Sequence, residues 1–494
     1  MKRAMRILIT VAIAAGFFAA SAAGLYAPDR TVHRDAPLNE FTEHLDSRIR
    51  KLMRQYTIPG VTVAVVRNGK IVYTMAYGEA DRETGRKMTA DMPMRVQSIS
   101  KSVTAWAVLK LVEEGKLNLD DPVGKYIRNW EFPDSPYSPD GVTVRRLLCH
   151  TAGLPLGNVF SLYAPEEPTP SLKESLTESA VLFQKPGEGF SYSNVGYNLL
   201  ELLIEEVTGR DFAEYMKSEI LAPLGMNHSD FEWNAGTLAA APLGYTLNGK
   251  AVSHYRYPER ASGGLLSTAE DIARFCIAGM RHFSEQKILT HSGVEQLYSP
   301  QANRLGVYSM VFDAYGFGYY TERGPAVSHG GQGTGWMSHF HAAPETGDAI
   351  VILTNSQRSW PFIAGVLNGW ARWRGFPALG MTRILLGECI LWALVGLIIA
   401  AAFFQIISMG IRLAGSNINF VPLQLGRIRI HRKAQFGISI AVLGGLLWCA
   451  SQRYLFLTSV FPTVSWWLGV CTAVLMALLL IASFRPGILP VSTT

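Results

Sequence analysis

The fold is decided by Gln97-Ser98-Ile99-Ser100-Lys101-Ser102, which follows a strand-like run at 94–96 and opens a helical run over 103–115. Ser98 and Lys101 are three residues apart, so they share one face of a helix. A serine hydroxyl needs a base to take its proton, and burial disfavours the charged form of a lysine. The pattern therefore predicts a nucleophile with its base one turn away, at a helix N-terminus that favours negative charge. A capping serine followed by a solvated lysine is the simpler explanation of an isolated match.

Two later stretches carry polar side chains at positions that complement this motif. Residues 186–194 form a turn that runs into a helix, with Tyr192 and Asn194 two residues apart. Residues 327–332 form a strand in which His329 precedes a pair of glycines, and glycine lets a ligand or another backbone approach closely. Taken singly, the tyrosine is a packing residue, the asparagine a helix cap and the histidine a strand residue without a role.

Together the three stretches resemble the motifs of the penicillin-binding-protein-like serine hydrolases. That family includes class C β-lactamases, D-alanyl-D-alanine carboxypeptidases, esterases and D-aminopeptidases. Its order is Ser-x-x-Lys, Tyr-x-Asn, then Lys-Thr-Gly or His-x-Gly, and here these are residues 98–101, 192–194 and 329–331. Residues 147–155 and 263–271 resemble two supporting segments. The resemblance extends over about residues 38 to 373.

The resemblance implies three catalytic residues. Ser98 would attack a carbonyl carbon and become acylated. Lys101 would take or relay the serine proton, and Tyr192 would act as partner base and then as acid towards the leaving group. No metal and no cofactor is expected.

The resemblance also implies four substrate-binding residues. Asn194 would position an amide of the substrate, and His329 stands where many relatives have a lysine, although a histidine titrates near neutrality. Gly331 lies on the same strand. The backbone N–H groups of Ser98 and Gln332 would form the oxyanion hole, whose oriented dipoles are a large catalytic term. His150 and Cys149 are interpreted as structural, and Cys149 and Cys276 could pair or stay free.

The order of the elements predicts an α+β fold. Apolar spacing predicts a helix over 38–56, and Asn68-Gly69 predicts a hairpin between strands at 61–66 and 71–73. Further helices are expected at 144–150, 197–209 and 271–280, the last behind a capping box that begins at Ser267. Strands are expected at 317–320, 326–329, 337–341 and 349–353, before a closing helix at 362–373. These elements predict a helix-covered antiparallel sheet with an all-helical subdomain, which the resemblance makes β-lactamase/transpeptidase-like.

Composition favours a membrane protein with a soluble part, because only 17% of the residues are charged and 48% are apolar. Residues 1–27 predict a signal peptide or an N-terminal anchor. Residues 28–378 would form the extracytoplasmic hydrolase. Residues 379–494 would form a membrane domain with spans near 384–409, 436–457 and 464–484. The basic run at 427–433 indicates the cytoplasmic side.

These expectations converge on a serine hydrolase that is anchored in a bacterial inner membrane and faces the periplasm. It resembles membrane-bound D-aminopeptidases that remove acyl-D-amino-acid caps from nonribosomal peptides, among them the peptidase that matures colibactin. Residues 333–336, however, lack the asparagine associated with a D-asparagine cap. A β-lactamase, a D-alanyl-D-alanine carboxypeptidase, an esterase and a non-catalytic penicillin sensor remain alternatives. The expected partners are a small-molecule or peptide substrate and the lipid bilayer, with no nucleic acid; the oligomeric state is not predicted.

Overall fold

An eight-stranded antiparallel sheet organises the larger part of the molecule. The computed structural model describes residues 32–158, 161–322, 326–414, 430–452 and 455–483. The strands of the sheet are β1 (Gly60–Arg67), β2 (Lys70–Asp81), β3 (Arg86–Lys87), β8 (Ala314–Tyr315), β9 (Tyr320–Thr321), β10 (Val327–Gly333), β11 (Trp336–Ala343) and β12 (Asp348–Thr354). Their order across the sheet is β3-β2-β1-β12-β11-β10-β9-β8. The predicted helix-covered antiparallel sheet is confirmed.

β1 and β12 are the first and the last strand of the sheet in chain order, and they pair with each other near its centre. Asn68 and Gly69 both adopt positive φ angles, 52° and 68°, as the predicted hairpin turn between β1 and β2 requires. β1 then pairs with β12 from Val61↔Thr354 to Val66↔Ala349. The strand expected at 317–320 is instead a tight hairpin between β8 and β9, because Gly318 turns the chain there with φ of 79°.

Helices cover both faces of the sheet. α1 (Leu38–Tyr56) packs against α10 (Trp360–Trp373), where the rings of Phe41 and Trp373 stack 3.8 Å apart. The other face is covered by α2 (Ile99–Glu113) and α8 (Ala269–Ala278). Side chains of β11 alternate between the two faces, so His341 meets α10 while Phe340 meets α8.

A mainly helical insert lies in the sequence between β3 and β8. It contains α3 (Val144–Leu148), α4 (Leu172–Ser179), α5 (Asn194–Thr208), α6 (Phe212–Met216), α7 (Ala235–Ala240) and α9 (His291–Tyr298). It is not all-helical, because β5 (Gly244–Tyr245) pairs with β6 (Ala251–Val252), and β4 (Met94–Arg95) pairs with β7 (Leu266–Ser267). The capping position of α8 is Thr268, one residue later than predicted, since its hydroxyl accepts the Asp271 N–H.

The chain divides into two compact units. Of the described residues, 32–383 belong to the sheet unit, and 384–414, 430–452 and 455–483 belong to the other. The division between the two units follows Arg383, five residues beyond the predicted boundary at 378, and the predicted roles of the domains stay predictions. The signal peptide predicted at 1–27 and residues 427–429 of the basic run lie outside the described residues.

Three helices of the second unit are long and apolar enough to cross a membrane: Thr382–Ile411, Lys433–Ser451 and Val464–Ser483. They belong to α11 (Thr382–Ala414), α12 (Ile430–Ser451) and α14 (Val464–Ser483), with the short α13 (Phe456–Val460) before the last. The described helix ends at Ser451, before the predicted end of the second span at 457. The side chains of Ser451 and Gln452 both donate to the Trp448 carbonyl at this end of the helix.

Candidate active site

Ser98 occupies the first position of α2 with its hydroxyl left free for other partners. It is the N-cap residue, yet its side chain makes no capping hydrogen bond. Gln97 immediately before it has φ of 52°, a region that non-glycine residues rarely adopt and that often marks functional sites. The Ser100 hydroxyl fixes this turn, because it donates to the Gln97 carbonyl at 2.6 Å and accepts the Leu265 N–H at 3.0 Å.

Lys101 lies one turn further along α2 and is completely buried. Its Nζ lies 3.2 Å from Ser98 Oγ, 2.7 Å from Asn194 Oδ1 and 2.6 Å from the Ser262 carbonyl oxygen. Burial lowers the pKa of its amine well below the usual value for lysine. The solvated helix lysine of the simpler interpretation is therefore excluded.

Tyr192 and Asn194 reach Ser98 and Lys101 from the start of α5. Ser193 caps this helix by accepting the Gly196 N–H, which leaves Asn194 free to accept from Lys101. The Tyr192 hydroxyl is hydrogen-bonded to the Ser98 hydroxyl, and its ring lies 5.0 Å from Lys101 Nζ. Burial raises the pKa of the Tyr192 phenol, so the phenol is protonated at neutral pH.

The buried His150 holds this turn in place. Its Nδ1 accepts the Ser193 N–H at 3.1 Å, and its carbonyl accepts the Ser191 N–H at 2.8 Å. Its ring also packs 4.4 Å from the Tyr192 ring. Burial lowers the pKa of the imidazole, so His150 stays neutral and acts here through its shape and its hydrogen bonds.

Strand β10 passes directly beside the Ser98 turn. A Cβ at Gly331 would lie 2.2 Å from the Val96 carbonyl oxygen, so a side chain there would push the strand away from the turn. β11 pairs with β10 along 327–333, whereas β9 pairs with it only at Val327 and Ser328. Among the described residues, the 329–333 edge therefore has a partner strand on one side only.

Gln332 and His329, the other two residues of β10 that were predicted to bind substrate, point in different directions. The Gln332 side chain accepts a hydrogen bond from the Trp360 indole at 2.8 Å, so it is directed towards α10. His329 is 1% exposed, with Nδ1 2.8 Å from the Gly330 carbonyl oxygen and Nε2 3.2 Å from the Tyr315 hydroxyl. Burial, together with the nearby Lys101, lowers the pKa of the His329 imidazole to about 3. The ring is neutral and supplies no positive charge; its contact with substrate, like the oxyanion hole, stays a prediction.

The loop that carries Ser262 was missed by the sequence analysis. Glu201 on α5 is completely buried and accepts the Arg260 N–H at 2.6 Å, the Arg260 Nε–H at 2.9 Å and the Ala261 N–H at 2.8 Å. Burial alone would lower the pKa of the Arg260 guanidinium, but the surrounding carboxylates raise it above its ordinary value, so Arg260 stays charged. These bonds fix the loop so that the Ser262 carbonyl faces Lys101. The signal was present in the sequence, since Glu201 is an acidic residue on the apolar face of α5.

Neither a metal centre nor a disulfide is found among the described residues near the site. In the part of the chain that the structure describes, no group of three or more His, Cys, Asp or Glu side chains is placed to hold a metal ion. The absence of a cofactor stays a prediction. Cys149 and Cys276 are both buried, free thiols, so the possible pairing between them does not occur in this structure.

Known proteins with similar sequences match somewhat less than two thirds of the chain. Protein flp of Staphylococcus aureus (strain MRSA252) is 27% identical over 329 residues, which are 64% of this chain and 63% of the relative. The chain thus spans slightly less than two thirds of the length of that relative.

Solved structures of similar proteins also match about two thirds of the chain. The octameric penicillin-binding protein homologue from Pyrococcus abyssi is 28% identical with a TM-score of 0.59, covering 68% of this chain and 79% of its own. SurE with D-Leu is 26% identical with a TM-score of 0.54, covering 66% of this chain and 74% of its own.

The family model described as Beta-lactamase matches residues 45–365, which is more than half of the chain and includes all of the site residues described above. The chain therefore belongs to the β-lactamase family of penicillin-binding-protein-like serine hydrolases.

Proposed function

We propose that this protein is a membrane-anchored serine hydrolase that cleaves an amide or ester bond through an acyl-enzyme on Ser98. The observation that carries the proposal is the environment of Lys101. A neutral amine has two N–H donors and one lone pair, and the two carbonyl oxygens of Asn194 and Ser262 take the donors. The lone pair is then left for the Ser98 hydroxyl 3.2 Å away.

In the first step Ser98 Oγ attacks the substrate carbonyl carbon while Lys101 Nζ takes the hydroxyl proton. The base is therefore Lys101, because burial raises the Tyr192 pKa and keeps that phenol protonated. Tyr192 is hydrogen-bonded to Ser98 and stands where it can donate its proton to the departing nitrogen or oxygen, with Lys101 replenishing it. Water then attacks the acyl-enzyme by the same route in reverse.

Substrate binding is proposed to use the open edge of β10. An extended peptide or amide can pair with residues 329–333, where no partner strand lies among the described residues. Gly331 lets this edge lie against the Ser98 turn. Asn194 is already bonded to Lys101 and can orient a substrate amide with its remaining groups.

Substrates containing a D-amino acid are the proposed class. The similar structure named SurE with D-Leu supports this choice, and the family resemblance points the same way. A neutral His329 favours an amide without a carboxylate at that position, which argues for an aminopeptidase-type substrate over a carboxypeptidase-type one. The three apolar helices support anchoring in the inner membrane. The basic run at 427–433 supports a periplasmic sheet unit.

The test is a panel of substrates offered to the purified full-length chain: N-acyl-D-amino-acid amides, D-Ala-D-Ala peptides, a chromogenic cephalosporin and a nitrophenyl ester. We expect repeated turnover of at least one amide or ester. Ser98→Ala and Lys101→Ala should each remove that turnover while the thermal unfolding midpoint is kept. Normal rates in either variant would refute the assignment.

A sensor that is acylated without turnover is the competing function. It would show stoichiometric labelling of Ser98 by a penicillin and no release of product. Mass spectrometry of the intact protein over time separates the two, because a hydrolase returns to the unmodified mass.

A further inference from the structure

Two apolar side chains stand out on the surface of the sheet unit. Gly306–Met310 form a 3-10 helix, in which residues three apart lie on the same side. Val307 is 62% exposed and Met310 is 69% exposed, more than any other large hydrophobic residue in the described part of this unit. We refer to these two side chains together as the 307/310 surface.

The 307/310 surface is held firmly, so its exposure does not come from a loose loop. Leu305 is buried, and its N–H donates to Ser309 Oγ at 3.0 Å. Phe312 stacks on Tyr320 with the ring centroids 4.0 Å apart. Between the two exposed residues, Tyr308 packs 5.6 Å from the ring of Tyr192. The surface therefore borders the active site.

The same segment is hydrogen-bonded to the first turn of α11 and packed against the residues just before it. Arg383 Nη1 donates to the Met310 carbonyl at 2.9 Å. Gly380 lies so close that a Cβ there would come within 1.7 Å of the Val311 carbonyl oxygen, and its N–H donates to Glu322 Oε2 at 2.7 Å. Leu379 and Met381 are buried in the sheet unit. Ile384, the next residue after Arg383, begins the apolar unit.

We propose that the 307/310 surface inserts into the headgroup region of the lipid bilayer and brings the Tyr192 side of the active site towards the membrane surface. The inference rests on the proposed membrane anchor. Arg383, which is bonded to Met310, lies in the first turn of the candidate span, so the bilayer is the apolar phase that this surface meets. The exposed Arg304 and Arg383 add attraction for anionic headgroups. Substrates then reach Ser98 from the membrane surface, which favours amphiphilic amides or esters.

A photo-crosslinking experiment on the full-length chain tests this placement. p-Benzoylphenylalanine replaces Met310 in one sample and Met75 in the control, and each is reconstituted in vesicles of phosphatidylethanolamine and phosphatidylglycerol. Met75 is 42% exposed but lies on β2, at the far end of the sheet from β8. We expect lipid adducts by mass spectrometry at 310 and none at 75.

Three outcomes would overturn the inference: no lipid adduct at 310, equal adducts at both positions, or a crosslinked dimer in place of the lipid adduct. Failure of the chain to float with the vesicles would overturn it as well, together with the anchor.

Activity gives a second, independent readout. Met310→Asp should raise KM for an amphiphilic amide by about tenfold. Transfer of one large apolar side chain from water to an apolar environment changes a binding constant by about that factor. kcat/KM for a short soluble ester should be unchanged, and Met75→Asp should change neither value. Equal losses on both substrates in Met310→Asp would refute the inference. Lipid adducts at 310 without any turnover would instead refute the hydrolase and leave the membrane surface standing.

Discussion

Asn194→Asp is the sharpest test of the charge state assigned to Lys101. The substitution keeps the size of the side chain but places a negative charge 2.7 Å from Lys101 Nζ. At an effective dielectric constant of about 20, two unit charges at that distance attract each other by about 6 kcal/mol, which corresponds to about four pKa units. Desolvation of the new carboxylate offsets part of this attraction. We therefore expect the pKa of Lys101 to rise by about two units or more, which keeps the amine protonated and unable to act as base.

The acylation rate of Ser98 measured by stopped flow across pH is the assay. In the wild type, burial lowers the pKa of Lys101, so the rate should rise as pH passes through that lowered value and then stay high. In Asn194→Asp the same rise should move to higher pH by about two units or more, so that at a pH between the two positions the rate is lower than in the wild type by up to about 100-fold. Asn194→Ala is the control, since it removes the hydrogen bond without adding charge and should leave the position of the rise nearly unchanged. Equal pH profiles in the two variants would refute the assignment of Lys101 as a neutral base.

Three further predictions follow from the surroundings of the site. Glu201→Gln should lower the free energy of unfolding by roughly 2–3 kcal/mol and kcat by about tenfold, because it weakens three hydrogen bonds that hold the Ser262 loop. Urea unfolding and steady-state kinetics measure the two losses. The control is Glu205→Gln, because Glu205 is a partly exposed partner of the same arginine and its substitution should have a smaller effect. Equal effects of the two substitutions would contradict the role of the Ser262 loop in positioning Lys101. His150→Phe should lower kcat with little change in KM, since the Ser193 N–H loses its acceptor, and a change in KM alone would argue against this. Burial lowers the pKa of His339 well below its ordinary value of 6.5, so the unfolded chain binds more protons there and stability is lost as the pH is lowered through that value. Between pH 7 and pH 5 the wild type should lose about 2 kcal/mol relative to His339→Gln, and parallel pH profiles of the urea midpoint would contradict this.

The sequence predicted well those parts of the structure that short-range rules govern. The helix 38–56 was predicted with the observed bounds. Its apolar residues recur at helical spacing, and no pattern typical of a strand or a turn interrupts them within these bounds. The Asn68-Gly69 hairpin followed from turn chemistry. Strand bounds were less accurate. β10 extends to Gly333 because pairing with β11 continues through residues of low strand propensity, and such pairing is a tertiary effect.

Contacts made by backbone atoms and by distant charges could not be predicted in this way. The Ser262 carbonyl that faces Lys101 belongs to a residue whose identity carries no information about that contact. Its position depends on Glu201 and Arg260, which are 59 residues apart in the chain. The neutral state of His329 is a similar case, because it results from burial beneath Tyr315 and from the proximity of Lys101, both set by the packed fold.

The charge states of the side chains around Ser98 limit where a substrate can carry a carboxylate. Burial raises the pKa of Tyr192 and lowers that of His329 to about 3, so both side chains are uncharged at neutral pH, and burial lowers the pKa of Lys101, whose neutral form is the proposed base. A substrate carboxylate placed within a few ångströms of Lys101 would raise the pKa of that amine, as the carboxylate introduced by Asn194→Asp is expected to do. It would then disable the base needed for its own acylation. If Lys101 acts as the proposed base, we therefore expect an anionic substrate to be accepted only when its carboxylate lies away from Lys101, and an amide or ester without a nearby carboxylate to meet no such restriction.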